Sequence, residues 1–280
     1  MYEKLRRDFT IQGKAQSTFT NYIRCLAHLA LHYGVSPEKL DDEKVQDYLF
    51  LCKAQHKTPS DSFFKHTVYG LRAAYKVLSL PNKRIALPQI KRQKDLPIIL
   101  NTSEIKALLN TPKYLRHRLM LGFLYGCGLR SYELCKLKLS DLDLERKTVL
   151  IRQQKGAYDR YLPLSKHLVR GLKTYFSEFK PQIYVFPSQV SSDGGEHPIT
   201  NRAIQWLLKE CRSKMDCDKT FTAHSLRHSF ATHLLEDGVN ILAVKELLGH
   251  PRIETTLIYL QVAQVGSSRK YSPLDILYGG

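Results

Sequence analysis

The amino-acid sequence predicts a mainly α-helical protein with one small antiparallel sheet, arranged as two domains. Three observations predict it. Apolar residues recur at helical spacing through much of the chain, as in Phe19, Tyr22, Ile23, Leu26 and Leu29. Strand-like runs are confined to TVLIR and RYLPL, which flank the polar RQQKGAYDR. PNKRIALPQIKRQKDLPIIL interrupts the helical period with prolines and a cluster of basic residues. It reads as an interdomain linker over 81–98, dividing a helical domain, 1–94, from a mixed domain, 95–280.

The helical domain is expected to hold three helices. The first spans 17–33, with Ser17 as its N-cap and Gly34 as its stop. The second spans 41–55 and opens on Asp41 and Asp42, turning Val45, Tyr48, Leu49 and Cys52 inward. The third, 60–79, places Phe64, Val68, Leu71 and Tyr75 on one face. In the second domain a helix capped by Thr102 or Ser103 precedes an apolar helix at 114–126. The two strands follow, with Lys155 at the tip of their hairpin. Then come a helix at 165–179, a short YVF strand, and a helix at 199–214. Three short helices end the pattern within Thr222–Gln264, separated at Gly238 and at the Gly249-His250-Pro251 turn.

Charge narrows the function. The chain has 280 residues and 43 Lys+Arg against 26 Asp+Glu, a net charge of +17. Residues 1–95 carry +8 of this and the remainder +9, so both domains are expected to face a polyanion, most simply nucleic acid. Lys14, Arg24, Lys65, Arg72 and Lys76 of the helices, with Lys91, Arg92 and Lys94 of the linker, are the candidate DNA contacts. No run is long and apolar enough for a membrane span, and MYEKLRRDFT has no signal-peptide character, so the expected location is the cytoplasm, at the nucleoid. The six cysteines form no CxxC pair and read as reduced thiols; the spacing of Cys211, Cys217 and His224 fits no common zinc site.

The candidate chemistry lies mostly in Thr222–Gln264. His224 and Arg227 stand at i and i+3, on one side of a helix. His250 sits in the Gly-His-Pro turn, and Tyr259 in the apolar run LIYL. Two histidines, an arginine and a tyrosine suggest phosphate chemistry without a metal. Arg130 follows two glycines at a helix start and can be held by Glu133, three residues on. His228 and His233 read as structural.

GLRSYEL, QQKGAYDRYLPL, HSLRHSFATHLLEDG and LLGHPRIETTLIY occur in this order. The set resembles the tyrosine recombinase (phage integrase) family, and within it the two-domain recombinases of the Xer type. The resemblance implies an N-terminal core-binding domain of SAM-like fold and a C-terminal catalytic domain. It implies Arg130, Lys155, His224, Arg227, His250 and the nucleophile Tyr259 as catalytic residues, with Glu133 in support. It implies strand exchange through a 3′-phosphotyrosyl link, no cofactor and no metal. The implied partner is double-stranded DNA with an inverted-repeat core site, bound by a homotetramer or by a heterotetramer with a related recombinase. The chain departs from the family pattern in Gln154 before Lys155, where glycine is usual, and in its tail, SSRKYSPLDILYGG. Two other readings use the same features: a relaxase like the type IB topoisomerases, and a non-catalytic DNA-binding accessory protein. A full set of polar residues disfavours the second. A metal-dependent nuclease would need clustered carboxylates, which do not accompany these motifs.

Overall fold

Short apolar stripes and turn residues set the helices of residues 1–94. The computed structural model describes residues 1–54, 60–89, 96–152, 159–188 and 195–263. The chain divides into two compact units, Met1–Lys94 and Asp95–Gly280.

In the first unit, α1 (Tyr2–Ile11) precedes α2 (Gln16–Tyr33), α3 (Asp42–Ala54), α4 (Ser60–Val77) and the short α5 (Pro81–Ile85). Helix α1 was not expected, because only Leu5 and Phe9, one turn apart, are buried on it. Ser17 does not cap α2. The turn at Gly13 (φ 59°) lets the helix begin at once, with Ala15 as N-cap and Ala15 O accepting from the Phe19 N–H. Helix α3 opens on Asp41, whose carboxylate accepts the Lys44 N–H at 2.8 Å. Helix α5 corrects the linker reading at its start. Pro81 lies in its first turn, where a missing N–H removes no helical bond, so the proline begins a helix that it was expected to prevent. Helix α4 packs on both α2 and α3, around Phe19, Leu26, Leu29, Val45, Tyr48, Leu49, Val68, Leu71 and Tyr75. Each such side chain removed from water stabilises the unit by about 1.5–3 kcal/mol before chain entropy is counted.

The second unit starts with α6 (Thr102–Asn110) and α7 (Leu115–Gly126). The α6 cap is Asn101, one residue before the expected Thr102. Its side chain accepts the Glu104 N–H, and Glu104 accepts the Asn101 N–H, a reciprocal capping box. Next come α8 (Ser131–Cys135) and a sheet of β1 (Leu142–Asp143), β2 (Thr148–Ile151) and β3 (Arg160–Pro163). The strands pair antiparallel in the order β1-β2-β3, with Val149 opposite Leu162 and Ile151 opposite Arg160. The third strand is β1. YVF is not a strand, since Tyr184 makes only an isolated bridge to Lys138 while Val185 and Phe186 fill the core. Helices α9 (Lys166–Phe179), α10 (Asn201–Lys214), α11 (Ala223–Glu236), α12 (Ile241–Leu248) and α13 (Glu254–Leu257) follow, and a 3-10 turn, Ile258–Gln261, carries Tyr259.

The main core of this unit joins α7, the sheet, α9 and α10 through Phe123, Val149, Leu162, Leu172, Tyr175, Phe186 and Leu207. A smaller cluster of Ala231, Leu235, Val244, Leu248 and Tyr259 holds α11, α12 and the last turn together. Among the described residues no helix is long and apolar enough to cross a membrane.

Candidate active site

Glu133 is the hub of the polar residues in the second unit. Gly128, at φ 58°, turns the chain out of α7, and Arg130 is the N-cap of α8. One turn into α8, Glu133 reaches back to accept the Arg130 backbone N–H and the Arg130 Nη1, both at 2.8 Å. Arg160, the first residue of β3, donates Nη1 and Nη2 to the two carboxylate oxygens at 3.0 and 2.9 Å. Arg227 of α11 brings Nη1 to 3.9 Å. Burial pushes the Glu133 pKa up, but the hydrogen bonds and charge of Arg160, with the Arg130 N–H and Arg227, outweigh it and hold it below the usual carboxylate range. Burial, then the Arg130 charge, lower Arg227 to about 9, which leaves it cationic at neutral pH. Three guanidinium groups thus share one carboxylate. Arg227 and Arg160 are buried; Arg130, with 36% of its side chain exposed, faces solvent.

Two of these arginines also close the end of α12. A helix leaves its last four carbonyls without partners. Gly249, at φ 63°, lets its own N–H reach Glu246 O and the His250 N–H reach Lys245 O, which forms a Schellman closure. Arg160 Nε donates to Leu247 O at 2.8 Å, and Arg227 Nη2 donates to Leu248 O. All four carbonyls are satisfied, and two cations sit at the negative end of the helix. His250 follows directly, so the arginine cluster fixes where it stands.

His250 and Tyr259 are both buried, side by side. The His250 Nδ1 is 2.9 Å from Thr256 Oγ1 on α13, and its ring lies parallel to Tyr259 with centroids 6.4 Å apart. Burial, then the charges of Arg227, Arg130 and Arg160, push His250 down to about 3, so its imidazole is neutral. Tyr259 is only 2% exposed. Burial raises its pKa, although Arg227 and Arg130 pull the other way, so the phenol keeps its proton at neutral pH. Its hydroxyl lies 2.9 Å from His228 Nδ1. His224 is exposed at the start of α11 and meets His228 edge-on at 4.7 Å. Burial, then Arg227 and Arg130, lower the His224 pKa as well.

Arg130, Glu133, His224, Arg227, His250 and Tyr259 therefore come together. Lys155 lies outside the described residues, as do Lys91, Arg92 and Lys94 and the tail after Ala263. In the first unit Lys14, Arg24 and Lys76 are exposed and Lys65 is half-buried. Arg72 is half-buried too, and donates to Pro88 O at 2.6 Å.

Two residues of the cluster were not anticipated. Arg160 had a signal in the period of two along RYLPL, which puts it on the inward face with Leu162. His228 was read as structural, and it contacts the Tyr259 hydroxyl. Its position one turn after His224 was the available sign.

The sequence profile of the phage integrase family matches residues 92–265. The chain is 33% identical over 255 residues to the tyrosine recombinase XerA of Pyrococcus horikoshii, covering 90% of this chain and 85% of the relative. It is 37% identical over 218 residues to XerA of Thermococcus kodakarensis, covering 76% and 75%. In fold it is similar to the Tn1549 transposon integrase solved in complex with transposon right end DNA, with TM-score 0.70, 18% identity, and 99% and 97% of the two chains covered.

Proposed function

The chain belongs to the phage integrase family and is a site-specific DNA recombinase of the tyrosine type, and we propose that Tyr259 is its nucleophile. One observation supports this most directly. Arg130, Arg227, His250 and Tyr259, far apart in sequence, converge around the single carboxylate of Glu133 and the end of α12.

The proposed step is a transesterification. The Tyr259 oxygen attacks the scissile phosphorus, the bond to the 5′ oxygen breaks, and a 3′-phosphotyrosyl link forms. The phosphodiester's energy is kept in the new bond, so no cofactor is needed for rejoining. A free 5′-hydroxyl from another strand reverses the step. The phenolic proton leaves to His224, which stands at the exposed edge of the site. The departing 5′ oxygen takes a proton from Lys155. Charge gathers on the two non-bridging oxygens, where Arg130 and Arg227 supply fixed forks and neutral His250 a further hydrogen bond. Loss of one such preorganised donor raises the barrier by about 3–4 kcal/mol.

We assign residues 1–94 to a core-binding role on double-stranded DNA and 95–280 to catalysis. The exposed cations Lys14, Arg24 and Lys76 support the first assignment. The inferred assembly is a homotetramer, or a heterotetramer with a related recombinase, on an inverted-repeat core site. The family resemblance supports it, and crosslinking on a two-site DNA would count the protomers.

A duplex nicked beside the cleavage point tests the nucleophile, because the short fragment diffuses away and traps the covalent product. The wild type forms an adduct that survives SDS; Tyr259→Phe forms none while still binding the site. An adduct in the Phe variant, or one mapping to Tyr271 or Tyr278, overturns the assignment.

A further inference from the structure

The reading above leaves His228 idle, yet His228 touches the group that would react. It follows Arg227 on α11 and turns its ring to Tyr259, with centroids 5.5 Å apart at 52°. Its Nδ1 is 2.9 Å from the Tyr259 hydroxyl. His224 meets the His228 ring edge-on, while His250 lies parallel to the Tyr259 ring. The phenol is therefore fixed by a hydrogen bond at its oxygen, with the His250 ring parallel to it and offset, centroids 6.4 Å apart.

We propose that His228 is the positioning residue of the nucleophile, its Nδ1 accepting the Tyr259 hydroxyl and fixing the direction in which that oxygen is presented. The inference rests on Tyr259 being the nucleophile. Two features suit His228 to accepting a hydrogen bond and not to removing the proton. Burial, then the neighbouring His224 and Arg227, push its pKa down to about 4, so the ring is neutral across the physiological range, and its Nε2–H tautomer offers the Nδ1 lone pair to the phenol. A base that weak holds the phenolic hydrogen without keeping it, and that hydrogen passes to His224, whose ring meets that of His228, as the oxygen attacks. Orientation is still worth a large factor, since a displacement of about 1 Å from the attacking geometry costs on the order of 100-fold in rate.

The test uses the full chain and the nicked duplex in two forms, one with the ordinary scissile phosphate and one with sulfur as the 5′ bridging atom. Sulfur leaves without needing a proton. His228→Ala is expected to slow adduct formation on the order of 100-fold on both substrates with DNA affinity retained. Lys155→Ala, acting on the leaving group, regains rate on the sulfur substrate. His228→Asn places an acceptor oxygen where Nδ1 stood and is expected to recover to within roughly tenfold of wild type, the scale of one neutral hydrogen bond. His228→Gln places it where Nε2 stood and stays slow, so the Asn and Gln pair decides the matter even if the Ala variant fails to fold.

An Ala variant within about threefold of wild type, well short of the misplacement cost, overturns the proposal. So do equal rates for Asn and Gln, or rescue of His228→Ala by sulfur. Absence of a Tyr259 adduct in the wild type on either substrate would instead show that the nucleophile itself was misassigned.

Discussion

Replacing Glu133 with Gln removes one negative charge from among three guanidinium groups, two of them buried. Breaking a buried ion pair by deleting one partner typically costs about 3–5 kcal/mol, because the remaining charge loses its counterion. Urea denaturation of Glu133→Gln should show a loss of that size; a loss of under about 1 kcal/mol would mean that the cluster is solvated like a surface pair. The acid limb of stability should change as well. The folded-state pKa of Glu133 lies below its ordinary value. Its contribution is therefore complete above the unfolded carboxylate pKa of about 4.3 and is lost as pH falls below it. In the Gln variant that part of the pH dependence should vanish. At this scale the sequence was informative where partners are near neighbours. Arg130 and Glu133 lie three residues apart at the start of α8, so spacing alone pairs them. Arg160 meets Glu133 across 27 residues and His228 meets Tyr259 across 31, and only the closed fold brings them together.

The end of α12 shows how elements are fitted to one another. Arg160 from β3 and Arg227 from α11 both bind its terminal carbonyls, so strand, helix and turn share one set of hydrogen bonds. Gly128 makes the fit possible on the other side. Arg227 Nη1 donates to its carbonyl at 2.6 Å, and a Cβ on Gly128 would lie 2.4 Å from the Phe230 ring. Gly128→Ala, combining overpacking with a left-handed backbone, should cost about 3 kcal/mol in thermal or urea unfolding. Phe230→Ala should relieve part of that penalty in the double variant, leaving the backbone share; strictly additive effects would show that the ring is not what Gly128 accommodates. Elements were legible where the stripe was long, as in α2 and α4. Helix α1 rests on two buried residues and β1 is two residues long, too little for any period to register. Pro81 misled because the same residue can end a helix or open one, and the choice depends on whether an N–H is missed there.

Across the whole molecule, a net charge of +17 should make DNA binding strongly salt-dependent. Each phosphate neutralised releases counterions, giving a slope of about −0.9 per contact in log K against log salt. Filter binding or fluorescence anisotropy between low and moderate salt measures it; affinity indifferent to salt would contradict a phosphate-tracking interface. Composition made the polyanionic partner legible, because total charge needs no fold. Which cations lie against DNA was not legible, since Arg72 already donates to a backbone carbonyl while Lys14 and Lys76 stay exposed.

Three guanidinium groups around one carboxylate give the cluster an excess of positive charge. Like charges held this close push outward on α8, β3 and α11, and any oxyanion that settles beside Arg130 releases that pressure. A bound phosphate or sulfate group would then stabilise the native fold. Divalent oxyanions should act as folding ligands even without DNA, adding about 2.7 kcal/mol at a hundred times their dissociation constant. A melting temperature that rises with sulfate at constant ionic strength, and rises much less in Arg130→Ala, is the corresponding measurement; the same rise in both proteins would place the effect outside the cluster.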